Sequence, residues 1–257
     1  MSDSFLVFDV GNSRIKASQA RDGKLGPLRA ALLADESAFE SLLNWPGFPA
    51  NGQAFISSVN PPASNRLIER LKERGIQANW CLLSDGALFR DGYLRCHTDL
   101  AASTGVDRML SSIAAQHRYP AQAVIVVDCG SAVTVNFTDA TGCFQGGAIL
   151  PGRRLMSQTL SHGTAELPRI EVAVPRAPIG RNTADAITSG VAHAIAGGVR
   201  QLIEEFRSVM NAKAAKVLVT GGDAPFVASM LGMTVETAPE LVLEGLMLVG
   251  QLRMSRQ

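Results

Sequence analysis

The sequence contains few cysteines, and they form no metal-ligand pattern. No C-x-x-C pair is present, and no cysteine groups with a histidine at the spacing typical of zinc ligands. The four cysteines are Cys81, Cys96, Cys129 and Cys143. This pattern excludes the common zinc motifs and favours reduced thiols in a cytosolic protein.

The chain also lacks an excess of either charge and any long apolar run. Its formal net charge is +1, so the overall balance suggests neither a nucleic-acid partner nor an anionic membrane surface. No apolar stretch approaches the roughly 18 residues of a membrane span, and the N-terminus shows neither a basic region nor an A-x-A cleavage site. We therefore expect a soluble, cytoplasmic protein. Any anion site in it is formed by a few neighbouring residues and not by an overall positive charge.

A short motif occurs twice, each time after an apolar run. Residues 5–8 precede Asp-Val-Gly-Asn-Ser at 9–13, and residues 124–127 precede Asp-Cys-Gly-Ser-Ala at 128–132. Both runs have the length and the β-branched or aromatic content of buried strands. With 257 residues and 46% hydrophobic content, the chain is large enough for two cores. The repeat therefore predicts a duplicated domain.

Hydrophobic periodicity predicts the same order of elements in both halves. In the first half we expect strands at 5–9, 15–19 and 54–59, and helices at 36–43, 64–74 and 106–117. In the second half we expect strands at 123–128, 134–139, 144–150 and 216–219, a long helix that starts near Asn182, and a closing helix at 240–252. The predicted domains are 1–117 and 118–257.

The repeated motif has the parts of a phosphate and cation site. A carboxylate that ends a buried strand can hold a cation, and the glycine turn beside it lets backbone N–H groups approach an anion. This makes Asp9 and Asp128 candidate cation sites, and Ser13 and Ser131 add donors for phosphate oxygens. Two such loops facing each other across a cleft would hold a nucleoside triphosphate and its metal ion.

Six segments in order resemble a known family. They are 9–16, 105–108, 128–134, 146–152, 182–187 and 220–222. The chain is similar to the actin-like ATPase and sugar kinase superfamily and, within it, to the type III pantothenate kinases. The resemblance implies an α/β fold of two similar actin-like (ribonuclease H-like) domains, with mixed sheets flanked by helices and the active site in the cleft between them.

The resemblance also implies a reaction. It is the ATP-dependent phosphorylation of pantothenate to 4'-phosphopantothenate, the first step of coenzyme A biosynthesis, with Mg²⁺, a monovalent cation (K⁺ or NH₄⁺) and a homodimer. Two alternatives stay open: a kinase for another small hydroxylated metabolite, and an actin-like ATP-binding regulatory or assembly protein. Dependence of ATP turnover on pantothenate distinguishes them.

The resemblance assigns roles position by position. ATP contacts fall on Asp9, Val10, Gly11, Asn12, Ser13, Arg14, Ile15, Lys16 and Ser131, with Gly221 and Gly222 near the adenosine. Pantothenate contacts fall on Gly105, Val106, Asp107, Arg108 and Thr183. Asp107 is the implied proton acceptor, and Asp128 is the implied ligand of the monovalent cation.

Several of these residues have a second interpretation. Asp107 stands beside Arg108 and near a helix start; we expect both to favour its ionised form and weaken it as a base, and it could serve only to start the helix. Arg108 suits a substrate carboxylate or a neighbouring acid. Lys16 could face phosphates or solvent, and Thr183 could cap its helix.

One position departs from the family pattern. Many relatives have a tyrosine seven residues before Gly105, where this chain has Thr98. Tyr93 lies nearby at a different spacing, and the sequence leaves open which of the two takes the place of that tyrosine.

Overall fold

The structure, a computed structural model, describes residues 4–82, 87–98 and 104–256. The chain forms two compact units. Unit 1 comprises the residues up to His117 together with those from Glu240 onward, and unit 2 comprises Arg118–Pro239. Among the residues that the structure describes, no helix is both long and apolar enough to cross a membrane.

Unit 1 is built on a mixed sheet. Its strands are β1 (Ser4–Val10), β2 (Arg14–Arg21), β3 (Lys24–Leu25), β4 (Arg29–Leu32), β5 (Gly52–Ser58) and β6 (Ile76–Leu82). The order is β3-β2-β1-β5-β6, with β4 also paired to β2. Strand β1 runs antiparallel to β2 and parallel to β5. The strand is central because its apolar residues are buried on both faces: Phe5, Leu6, Val7 and Phe8 are at most 2% exposed.

Helices α1 (Glu36–Leu42) and α2 (Pro61–Glu73) pack on this sheet. They are followed along the chain by α3 (Ala87–Arg90), a short strand β7 (Arg95–Cys96) and α4 (Val106–Arg118). Helix α2 begins where Asn60 Oδ1 accepts a hydrogen bond from the Ala63 N–H at 3.2 Å, with Pro61 at the first helical position. A two-residue hairpin turn follows β2, with the positive φ at Asp22 and Gly23 that such a turn requires.

Unit 2 repeats the arrangement. Its strands are β8 (Val124–Cys129), β9 (Ala132–Thr138), β10 (Cys143–Pro151), β11 (Lys216–Thr220) and β12 (Glu236–Thr237), and its helices are α5 (Arg153–Gly163), α6 (Thr183–Val209) and α7 (Ala224–Met230). These strands follow the order β12-β11-β8-β9-β10. Helix α6 packs on the sheet through one apolar stripe: Ile187, Val191, Ile195, Val199 and Ile203.

The two sheets share one plan. The central strand, β1 or β8, is antiparallel to the strand that follows it and parallel to a later strand, β5 or β11. This confirms the predicted pair of α/β units with mixed sheets flanked by helices. The sequence analysis did not predict β3, β4, β6, α3, β7, α5, α7 or β12, most of which are short.

The closing helix α8 (Leu241–Met254) packs in unit 1. The sequence analysis places this helix in the domain 118–257, so the observed units differ from the predicted domains at α8. The helix belongs to unit 1 because it packs closely against residues of that unit. A Cβ on Gly245 would lie 2.0 Å from the Leu110 carbonyl oxygen of α4, and one on Gly250 would lie 3.0 Å from the Phe5 ring. We therefore assign the segment from Glu240 onward to unit 1.

Gly245→Ala should destabilise unit 1 because the added methyl group overlaps backbone atoms of α4. We expect a loss of about 1–3 kcal/mol or more in the free energy of unfolding, measured by urea denaturation. Gly190→Ala is the matched control: Gly190 also lies within a helix, but its Cβ would meet nothing within 4 Å. That variant should be neutral or gain up to about 1 kcal/mol. Equal stabilities of the two variants would contradict the packing described for α8.

Candidate active site

The first repeated loop places Asp9 between two neighbouring strands. Asp9 ends β1 and pairs in register with Lys16 of β2 and Ser57 of β5. The Ser57 hydroxyl donates a hydrogen bond to Asp9 Oδ1 at 2.9 Å. The turn that follows is closed by the Gly11 N–H, which donates to the Arg14 carbonyl at 2.9 Å. The structure thus brings together the carboxylate, the predicted phosphate turn and Lys16.

Burial controls the protonation of Asp9. The pKa of its carboxyl is raised from 3.8 to about 6. Removal from water is the largest cause, and the charge of Asp107 also raises the pKa, whereas the charge of Lys16 and the Ser57 hydrogen bond lower it. The carboxylate is therefore held in a site that would favour a bound cation.

Asp107 lies in the first turn of α4, next to a glycine that gives it room. A Cβ at position 105 would lie 2.6 Å from Asp107 Oδ1. The Gly105 carbonyl accepts the N–H of Arg108 at 3.1 Å and that of Met109 at 3.3 Å, which starts the helix. Asp107 Oδ1 itself accepts the Arg108 N–H at 2.9 Å. A side chain at position 105 would displace the carboxylate of Asp107.

The pKa of Asp107 is raised, which corrects the expectation from sequence. Burial is the main cause, and it outweighs the hydrogen bond from the Arg108 N–H and the charge of the Arg108 guanidinium, both of which lower the pKa. Burial also lowers the pKa of Arg108, while Asp107 raises it. The prediction of a weak base was wrong because it considered only local charges and omitted desolvation.

The carboxyl groups of Asp9 and Asp107 both belong to unit 1, and they are near enough for the charge of Asp107 to raise the pKa of Asp9. Unit 1 therefore brings a carboxylate with a raised pKa beside the predicted phosphate loop. This is the arrangement expected for a proton acceptor next to a phosphoryl donor.

The second repeated loop surrounds Asp128 with hydroxyl groups instead of a lysine. Asp128 ends β8 and pairs in register with Thr134 of β9 and Thr220 of β11. The Thr220 residue is fully buried, and its hydroxyl oxygen has no hydrogen-bond partner among the described residues. A Cβ on Gly221, whose φ is +93°, would lie 2.5 Å from Asp128 Oδ1. The turn after β11 therefore contacts the Asp128 carboxylate closely.

Ser131 and the Gly221-Gly222 turn follow neighbouring parallel strands, so they lie at the same end of the sheet. The Asp223 N–H, just after that turn, donates to the Cys129 carbonyl at 2.9 Å. On the other side the Gly152 N–H donates to the Ser131 carbonyl at 3.1 Å. Unit 2 thus brings together four of its predicted positions, Asp128, Ser131, Gly221 and Gly222.

Thr183 is exposed and does not cap its helix. The cap of α6 is Asn182, whose Oδ1 accepts the Asp185 N–H at 2.9 Å. The alternative role of Thr183 as an N-cap is therefore excluded.

Thr98 and Tyr93, the two candidates for the place of the family's tyrosine, have different neighbours. The Thr98 hydroxyl lies 2.8 Å from Cys96 Sγ, and the Arg256 guanidinium lies 5.0 Å from the centre of the Tyr93 ring.

No group of three or more His, Cys, Asp or Glu side chains lies close enough to hold a metal ion within the described ranges. A cation at Asp9 or Asp128 would therefore need further ligands from hydroxyls, carbonyls, water or phosphate. Sequence reasoning missed Ser57, Thr134 and Thr220 as neighbours of these carboxylates. The signal that could have found them is a hydroxyl residue within or at the end of each strand that flanks the aspartate.

Asp9→Asn should change the pH dependence of stability. The folded protein holds the Asp9 proton with a pKa of about 6, against 3.8 without burial, so ionisation of Asp9 costs folding free energy as the pH rises towards and through 6. The amide stays neutral and can still accept from Ser57. Between about pH 5 and about pH 7.5, we expect the variant to gain about 1 kcal/mol relative to the wild type.

Urea denaturation at the two pH values, without nucleotide or divalent cation, measures this difference. Parallel pH profiles for the two proteins would contradict a buried Asp9 carboxylate.

Comparison with known proteins agrees with this geometry. The type III pantothenate kinase family model matches residues 5–205. The type III pantothenate kinase of Azoarcus sp. (strain BH72) is 35% identical over 95% of this chain and 89% of its own length. That of Petrotoga mobilis is 32% identical over 94% and 96%.

A solved structure from Campylobacter jejuni, assigned to the Baf family of transcriptional activators, has a similar fold. Its TM-score is 0.58 at 24% identity, over 97% of this chain and 99% of that chain. Component A of the (R)-2-hydroxyglutaryl-CoA dehydratase of Acidaminococcus fermentans also has a similar fold, with a TM-score of 0.51 at 14% identity over 95% of this chain and 95% of that chain. From the family match and the two kinase relatives, we conclude that the chain belongs to the type III pantothenate kinase family.

Proposed function

We propose that this protein transfers the γ-phosphoryl group of ATP to the primary hydroxyl of pantothenate, giving 4'-phosphopantothenate and ADP in the first step of coenzyme A biosynthesis. The observation that carries the proposal is the buried Asp107 carboxylate at the start of α4, which Gly105 leaves room for and whose charge acts on Asp9 in the same unit. It combines a proton acceptor with the Asp-Gly phosphate turn, and family membership supports the same reaction.

Asp107 is the proposed proton acceptor. The pantothenate hydroxyl oxygen forms a bond to the γ-phosphorus, the bond from that phosphorus to the β–γ bridging oxygen breaks, and the hydroxyl proton passes to the Asp107 carboxylate. Because the transition state is loose, orientation of the hydroxyl contributes more than basicity. The raised pKa of Asp107 still helps, since it makes the carboxylate a stronger base once it is ionised.

The other predicted residues bind the two substrates. The turn 10–15 offers backbone N–H groups, and Lys16 offers a positive charge in register with Asp9. Ser131 and the turn 221–222 hold the nucleotide on unit 2, while Arg108 and Thr183 contact pantothenate. Arg108 is supported in this role because a partly buried guanidinium can donate two parallel hydrogen bonds to a carboxylate.

The two strand-ending carboxylates differ in the cation that suits them. We assign the Mg²⁺ that accompanies ATP to the side of Asp9, where a divalent ion would offset the burial of the carboxylate. We assign K⁺ or NH₄⁺ to Asp128, because the residues in register with it are two threonines and because the buried Thr220 hydroxyl has no hydrogen-bond partner in the described residues. Hydroxyl and carboxylate oxygens are suitable ligands for such an ion.

We further propose a cytoplasmic homodimer. Two large apolar side chains of unit 2 are well exposed, Ile149 at 65% and Ile179 at 79%. The proposal of a homodimer rests on membership of the type III pantothenate kinase family, and these side chains are candidates for its contact surface. The cytoplasmic location follows from the cysteine pattern and from the metabolite that the enzyme uses.

The test of the function is ADP release from ATP with Mg²⁺ and K⁺, with and without pantothenate. Asp107→Asn should lower pantothenate-dependent turnover by about a hundredfold or more, the usual scale for losing a positioned base, and leave ATP affinity near normal. Asp35→Asn is the matched control, because this acid also starts a helix and its amide can keep the cap on the Ala38 N–H. Turnover that stays normal in Asp107→Asn would remove Asp107 from the mechanism.

Asp128→Ala should abolish activation by monovalent cations, because it removes the charged ligand of the proposed site. The measurement is the pantothenate-dependent rate over a titration of KCl at constant ionic strength, with choline as the replacing cation. The wild type should be stimulated and the variant should not. A variant with an undiminished response to K⁺ would contradict the cation assignment and leave the kinase assignment intact.

A further inference from the structure

Arg153, the first residue of α5, contacts two separate segments of unit 2. Its Nη2 lies 2.8 Å from Asp223 Oδ1, and its Nη1 donates a hydrogen bond to the Val172 carbonyl at 2.6 Å. The guanidinium also lies 5.2 Å from the centre of the Phe226 ring. The Arg153 and Asp223 side chains are 29% and 23% exposed, so the ion pair is partly shielded from water. It therefore contributes more than a fully exposed pair would.

The backbone at the base of this side chain is fixed against the loop after β8. Gly152 donates its N–H to the Ser131 carbonyl, and a Cβ at position 152 would lie 2.5 Å from the Gly130 carbonyl oxygen. The backbone just before Arg153 is therefore packed closely against the loop after β8.

Asp223 ends the Gly221-Gly222 turn and begins α7, yet its carboxylate makes no cap bond to that helix. An aspartate at this place ordinarily accepts an N–H of the first helical turn. Here Asp223 Oδ1 faces Arg153, and the Asp223 N–H donates to the Cys129 carbonyl. The Asp223 side chain thus links the Gly221-Gly222 turn to Arg153 of α5.

We propose that Arg153 is a positioning residue for the nucleotide: through Asp223 it holds the Gly221-Gly222 turn in the conformation that receives the adenosine of ATP. The assignment rests on the proposed function, in which that turn borders the adenosine. Two successive glycines have unusual backbone freedom, and ordering them on binding would cost free energy. An ion pair that orders the turn in advance lowers that cost and so tightens nucleotide binding.

The Val172 carbonyl completes the arrangement. Val172 is 2% exposed and belongs to the segment between α5 and α6, which Ser157 of α5 also holds through the Ile170 backbone. With one guanidinium nitrogen fixed on Val172, the other is directed at Asp223. A lysine, whose ammonium group is compact, cannot reproduce this two-point geometry.

The experiment compares Arg153→Met with Arg154→Met. Methionine keeps an unbranched stem over Phe226 and removes both polar contacts, and Arg154 is an exposed neighbour on the same helix whose replacement makes the same charge change. For Arg153→Met we expect the Kd of a non-hydrolysable ATP analogue and the KM for ATP to rise about tenfold. We expect kcat and the KM for pantothenate to stay within about twofold of the wild type. Arg154→Met should match the wild type.

A double-mutant cycle tests whether Arg153 acts through Asp223. Asp223→Ala should raise the analogue Kd as much as Arg153→Met does, and the double variant should show no further rise, since each change alone already breaks the Arg153–Asp223 ion pair. Arg153→Lys should recover part of the affinity by pairing with Asp223. A merely structural role would instead lower kcat and the thermal midpoint together, without selective loss of nucleotide affinity.

An unchanged analogue Kd in Arg153→Met would overturn the assignment, as would additive effects in the double variant. If the wild type itself failed to bind the analogue, the proposed function would fail together with this assignment. Binding by the wild type with no loss in the variant would overturn only the role of Arg153.

Discussion

A carboxylate at the end of the central strand of each sheet is the constraint on which the rest of the molecule depends. Side chains that are paired across neighbouring strands project to the same face of a sheet. The register of the sheet therefore decides which groups surround Asp9 and Asp128. In unit 1 these neighbours are Lys16 and Ser57, and in unit 2 they are two threonines. The same motif thus acquires different chemistry from the strands beside it.

The two copies of the motif have also diverged in their turns. The Gly11 N–H reaches the carbonyl of Arg14, three residues on, whereas the Gly130 N–H reaches that of Ala132, two residues on. The first turn has one more residue and so offers more backbone N–H groups to an anion, which suits a loop that holds phosphates. The shorter turn leaves room for the chain at Gly152 to contact it directly. Duplication followed by such divergence explains how one motif serves two purposes in one chain.

Much of the fold was predictable from the sequence because the strong signals are local. Apolar runs at 5–8 and 124–127 predicted the central strands β1 and β8. The partners of the aspartates were not predictable in the same way, because Ser57 and Thr220 are distant in sequence and only strand pairing brings them close. The raised pKa of Asp107 was missed for a related reason: burial is a property of the whole unit, whereas Arg108 and the helix start are visible in the sequence.

The packing of α8 has a consequence for how the protein is made. Unit 1 contains both Asp9 and Asp107, but its core is completed by a helix at the opposite end of the chain, with Gly245 against Leu110 and Gly250 against Phe5. During synthesis the first 117 residues emerge long before residues 241–254 do. Unit 2 is continuous in sequence and can fold before residues 241–254 are synthesised, whereas unit 1 keeps apolar surface exposed until that segment has emerged from the ribosome. The proposed proton acceptor and the phosphate loop therefore reach their final environment only after unit 2 has been synthesised.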